Sequence, residues 1–159
     1  MKKVAYMGLL TALALILGYL ESLIPPLVPV PGIKIGLANL VVVFALYKLG
    51  WKEAVLVNIV RVILSGLLFG TMFSLAYSMT GAVLSLLVMC ILHKKTDLDV
   101  ITVSICGSFM HIIGQIAIAV LVVGSGYIIS MSPFLLLSAV MMGAVIGLLA
   151  KLLIDRIRV

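Results

Sequence analysis

The sequence predicts an all-α integral membrane protein, a compact bundle of six transmembrane helices with both chain ends on the cytoplasmic side. Three observations carry that reading. Of 159 residues, 65% are hydrophobic and 10% charged, with a mean hydropathy of +1.42, too little polar surface for water to be the solvent of the exterior. Apolar stretches near the ~20 residues needed to cross a bilayer recur along the chain. The basic residues gather at alternate connections. Six such spans leave only short loops, so residues 1–159 form a single transmembrane domain with no room for a second.

The first span covers residues 4–24 and stops at Pro25 and Pro26. Lys2 and Lys3 ahead of an apolar run have the outline of a signal peptide, but no small-x-small cleavage site follows, so a retained helix is expected. The segment PPLVPVPGIK, residues 25–34, favours extended backbone through its four prolines. A short second span, residues 35–49, closes at Gly50, and a third runs over residues 52–68. A glycine- and serine-containing stretch at residues 66–74 separates it from the fourth, residues 75–92. The fifth covers residues 100–123. After the GSGY turn and Pro133 comes the sixth, residues 134–154.

Placing the N-terminus inside puts Lys2, Lys3, Lys48, Lys52, His93, Lys94, Lys95, Lys151, Arg156 and Arg158 on the cytoplasmic side and leaves Lys34 alone outside. That is the asymmetry of the positive-inside rule, and an odd number of spans spoils it. The net charge of +6 therefore marks topology. With no basic stripe, no nucleic-acid partner is expected. Cys90 and Cys106 lack CxxC or His-rich spacing and read as small buried hydrophobes.

Small residues recur at four-residue spacing: Gly8 and Ala12, Ala14 and Gly18 in the first span, Gly143 and Gly147 in the sixth. Such spacing lets helix backbones approach closely in lipid. It serves packing within the bundle or, for the first span, docking to another membrane protein.

In lipid the informative residues are the expensive ones. Arg61 stands near the middle of the third span, with Asn58 and Ser65 on its helix face. His111 and Gln115 lie one turn apart deep in the fifth, with Ser108 beside them. Asn39 sits early in the second span, Glu21 at the outer end of the first, and Lys34 at the entrance to the second. These residues form either an internal network that fixes helix packing or a binding cavity open to the outside. A deep set with one arginine and a titratable histidine suits a small ligand bearing negative charge or carbonyl acceptors. Phe73 and Tyr77 are ordinary interfacial aromatics by position.

Catalytic signatures are missing. There is no GxxxxGK followed by Ser or Thr for phosphate binding, no GxSxG, no HExxH and no pair of deep carboxylates. The close pair Asp97 and Asp99 falls at a helix start, where capping explains it. His111 has no partner ligand in sequence and His93 lies at the opposite face, so no metal, cofactor or catalytic residue is assigned. The chain reads as a component of a larger system.

The proline-rich turn leading into PGIKIGLANL, residues 31–40, and the short helix after it resemble the bacterial membrane family labelled heptaprenyl diphosphate synthase component I, also called the Gx transporter family. Its members are similar to the substrate-binding S components of energy-coupling factor (ECF) importers. The resemblance implies an S-component-like fold in the bacterial cytoplasmic membrane. It implies a ligand pocket near the outer face, capped by residues 25–34 and bound by a nutrient or an isoprenoid-related molecule. It also implies a transmembrane T component and ATPase subunits as partners, docked through small residues of the first helix. The nearest matches to the AxxxA pattern used there are Gly8 with Ala12 and Ala14 with Gly18. The family's label implies an alternative, a noncatalytic membrane subunit of a polyprenyl diphosphate synthase whose soluble partner meets loops 48–53 and 93–99. A structural or assembly role remains as a third reading.

Overall fold

The computed structural model describes residues 2–23, 36–124 and 126–157, and all their regular structure is α-helical. Six helices follow in order: α1 Lys2–Leu23, α2 Leu37–Lys48, α3 Trp51–Phe69, α4 Met72–Lys95, α5 Val100–Val123 and α6 Gly126–Arg156. The helices α1, α4, α5 and α6 are long and apolar enough to cross a membrane. The α3 helix has 19 residues but carries Lys52, Glu53 and Arg61. With 12 residues, α2 spans about 18 Å at ~1.5 Å per residue, short of a ~30 Å hydrocarbon layer. The cap expected from residues 25–34, including Lys34, lies outside the described residues.

Neighbour contacts run from α2 through α3, α4, α5 and α6 back to α2, with α1 laid against α2 and α3. The α2 sequence LANLVVVFALYK has no polar stripe, and residues 41–46 are all buried. A helix apolar all round belongs inside a bundle. Around it, the outward faces of the other helices expose Val4, Leu9, Leu67, Leu121, Phe134 and Leu137, an apolar exterior suited to lipid.

Successive helices alternate in direction, so the start of α1, the α2–α3 and α4–α5 connections and the end of α6 share one end. Side chains tie that end together. Lys3 Nζ meets Glu53 at 3.6 Å, the Tyr47 and His93 rings meet tilted with centroids 4.3 Å apart, Lys94 lies 4.0 Å over the Trp51 ring, and Lys151 pairs with Asp99 at 3.1 Å.

Glycines set how closely α4, α5 and α6 approach. A Cβ on Gly81 would fall 2.8 Å from the His111 carbonyl oxygen, and one on Gly143 would fall 2.8 Å from Ile105 Cα. Gly147 meets Ile101 Cα at 2.7 Å in the same sense. The Gly143–Gly147 pair thus packs within the bundle, against α5, where Ser104 Oγ donates to the Gly143 carbonyl at 2.9 Å. Gly8, in contrast, has nothing within 4 Å of its Cβ position.

Three local expectations need correction. The break between α3 and α4 is two residues, not the whole of 66–74: Gly66 stays helical against Leu75, and Thr71 starts α4 with a reciprocal capping box to Ser74. The α6 helix begins at Gly126 and runs through Pro133. The proline removes the N–H that the Ile129 carbonyl expects, and Ser132 Oγ donates to that carbonyl at 2.7 Å instead. Asp99 occupies the N-cap position of α5 without a side-chain capping bond. Its carboxylate pairs with Lys151, which ties the start of α5 to the end of α6.

The glycine contacts generate a stability test. Gly143→Val should destabilise the bundle by about 1–3 kcal/mol through overpacking against α5 backbone, whereas Gly8→Ala should stay within ~0.5 kcal/mol. Thermal unfolding in detergent, followed by circular dichroism, measures both.

Candidate functional site

At the end of the bundle away from the basic residues, all six helices contribute to one cavity of about 240 Å³. Arg61 projects into it from α3. Its Nη2 donates to Asn39 Oδ1 at 2.7 Å and to Asn58 Oδ1 at 2.9 Å, and its Nε donates to Asn58 Oδ1 at 3.1 Å. Asn58 is buried and passes the chain of bonds on, its Nδ2 donating to the Ala82 carbonyl of α4 at 3.1 Å. One network therefore stitches α2, α3 and α4 together and fixes the guanidinium in place. Among the described residues no carboxylate joins that network, so the guanidinium faces the cavity unpaired by a bonded anion.

Glu21, at the C-terminal end of α1, does other work. Its Oε1 accepts from the Gly36 N–H at 2.6 Å and its Oε2 from the Leu37 N–H at 3.0 Å. Gly36 adopts a left-handed conformation at the N-cap of α2 and brings no side-chain cap of its own. The carboxylate of a neighbouring helix supplies the acceptor that a capping Ser or Asp would give, at the positive end of the α2 dipole. It also lines the cavity.

The opposite wall comes from α5, whose Ser108, His111 and Gln115 all line the cavity. Their position depends on Gly81 of α4. A side chain there would meet His111 Cδ2 and Gln115 Cγ at 3.0 Å each. Ser65 of α3 and Ser74 and Ser78 of α4 add hydroxyls. Tyr19 of α1 and Phe69 of α3 close one side, their ring centroids 5.0 Å apart.

The structure thus brings Glu21, Asn39, Arg61, Ser108, His111 and Gln115 around one space. Asn58 stands behind Arg61 as its support, and Lys34 lies outside the described residues. The small residues of α1 divide. Gly8 and Ala12 lie on its outward face, Ala14 is buried, and Gly18 lines the cavity close to Ala38. Phe73 and Tyr77 stack on each other at 6.0 Å. Tyr19, Phe69, Ser74, Ser78 and Gly81 are among the residues that sequence reasoning missed. The signal for the first two was their shared level, each near the C-terminal end of its helix on the cavity side of the bundle.

Among the described residues no three His, Cys, Asp or Glu side chains cluster as a metal site requires. The groups that converge are hydrogen-bonding side chains and two opposite charges, chemistry able to hold a small polar molecule. The family model described as heptaprenyl diphosphate synthase component I matches residues 10–153. No curated protein and no solved structure matches the chain.

Asn58→Ala should remove two bonds from Arg61 and the bond from α3 to the Ala82 carbonyl of α4, costing about 1–3 kcal/mol. Ser65→Ala, a single hydroxyl on the cavity wall, should cost less than ~0.5 kcal/mol. Parallel thermal melts of the two variants check the difference.

Proposed function

Because the chain belongs to the heptaprenyl diphosphate synthase component I family, we propose that it is a noncatalytic membrane subunit that holds a small ligand in the cavity around Arg61. The observation that carries this reading is the state of the guanidinium. It is oriented by neutral amide oxygens, faces a cavity, and has no carboxylate bonded to it among the described residues. An arginine kept charged inside an apolar bundle is costly, by ~3 kcal/mol or more where it meets lipid. A ligand with an anionic or acceptor-rich group recovers that cost on binding.

The family description supports a polyprenyl diphosphate synthase as the host assembly. Prenyl transfer then belongs to a soluble partner, and this chain holds an isoprenoid-related group in the membrane. The cavity is smaller than the ~300–1,000 Å³ pockets that enclose drug-sized ligands. It therefore suits a small polar group rather than a whole prenyl chain.

A second reading, the substrate-binding S-component-like subunit of an ECF importer, is favoured by where the cavity lies. The basic end of the bundle carries Lys3, Lys48, Lys52, Lys94, Lys95 and Lys151, and the cavity is at the other end. With six spanning helices and the basic end in the cytoplasm, the cavity faces outside, where a nutrient arrives. A T component and ATPase subunits are the partners in that case.

Native mass spectrometry of the full chain in mild detergent tests the shared reading. A co-purifying small molecule is expected, its occupancy falling about tenfold or more in Arg61→Ala with helical content retained. Undiminished occupancy, with only a lower melting temperature, would reduce Arg61 to a packing role and overturn it. Added to a soluble synthase subunit, the chain should change prenyl-transfer yield on the first reading. ATP-dependent uptake with T component and ATPase subunits is the expectation on the second.

A further inference from the structure

The cavity holds two formal charges that do not meet. Arg61 and Glu21 both line it, yet among the described residues no ion pair within 4.0 Å joins them. Each keeps capacity to spare. The Nε and Nη2 of Arg61 are engaged with Asn39 and Asn58, while Nη1 has no hydrogen-bond partner among the described residues. Glu21 accepts one backbone N–H on each oxygen, and a carboxylate offers about four acceptor positions.

The same lining carries hydroxyl and amide groups, from Ser65, Ser108 and Gln115. It also includes the paired rings of Phe69 and Tyr19, the latter two residues before Glu21 on α1. A carboxylate beside aromatic rings is the chemistry that recognises an ammonium or quaternary nitrogen. Among the described residues, Arg61 and Glu21 are the formally charged side chains on the lining, so a multiply charged anion such as diphosphate would meet one guanidinium and face one carboxylate there.

We infer that the ligand is a small zwitterion, with its anionic group on Arg61 and its cationic nitrogen between Glu21 and the Tyr19–Phe69 pair. This rests on the reading of the cavity as a binding site and narrows the class of molecule it takes. The volume of about 240 Å³ suits a compact molecule. Glu21 then has two roles, cap of α2 and selector of the ligand's positive group.

The test uses the unmodified full chain in nanodiscs and pairs of probes that differ only in the positive charge. Glycine betaine is titrated against tert-butylacetate, gamma-aminobutyrate against pentanoate, and free alanine against isobutyrate, with inorganic diphosphate alongside. In at least one pair the zwitterion should bind about tenfold or more tightly than its monoanion, and diphosphate should bind more weakly than that zwitterion. Glu21→Gln, which keeps an amide oxygen for one α2 N–H, should abolish the preference without abolishing binding of the monoanion. Equal binding within every pair, or diphosphate as the tightest probe, overturns the zwitterion and leaves the anion-binding cavity standing. Failure of every probe, with no effect of Arg61→Ala on what co-purifies, overturns both.

Discussion

One guanidinium in an apolar bundle constrains the rest of this structure. An apolar bundle solvates a charge poorly, and a directly bonded carboxylate would cancel the charge. The chain instead solvates it with the side-chain oxygens of Asn39 and Asn58. Because those amides sit on α2 and α3, and Asn58 continues to the α4 backbone, the same bonds that tolerate the charge also define the spacing of three helices. The cavity follows from this arrangement. A positive group held from behind by neutral oxygens needs an open side.

Two styles of packing meet at that cavity. The α4, α5 and α6 helices approach through glycine, with backbone against backbone, so there is little room for adjustment. Helix α5 is gripped on both sides, by Gly81 and by Gly143 and Gly147, which fixes the wall formed by Ser108, His111 and Gln115. On the other side, α1 is attached through the Glu21 carboxylate and an apolar seam that includes Leu10 and Ala14. One wall is rigid by contact and the other is tied by a few polar bonds.

Much of the bundle was legible because lipid makes sequence patterns blunt. The α5 boundaries follow from hydropathy alone, since no charged residue or proline interrupts residues 100–123. Breaker residues misled where the helix had local compensation. Pro133 sits inside α6 because Ser132 supplies the missing donor, and Gly66 stays in α3 because Leu75 fills the space beside it. The polar members of the cavity stood out by their cost in a membrane. Ser74 and Ser78 did not, because a serine can satisfy itself on its own helix, and Gly81 did not, because close approach leaves no trace in a single sequence.

The brevity of α2 bears on how the protein enters a membrane. A segment of 12 residues is too short to cross and be released into lipid by itself. Its N-terminal backbone groups are satisfied only once Glu21 of α1 is alongside. The placement of this helix in a bilayer is therefore tied to α1, whose carboxylate receives its first N–H groups. That placement, like the finished fold, then depends on a carboxylate that belongs to a different helix from the one it completes.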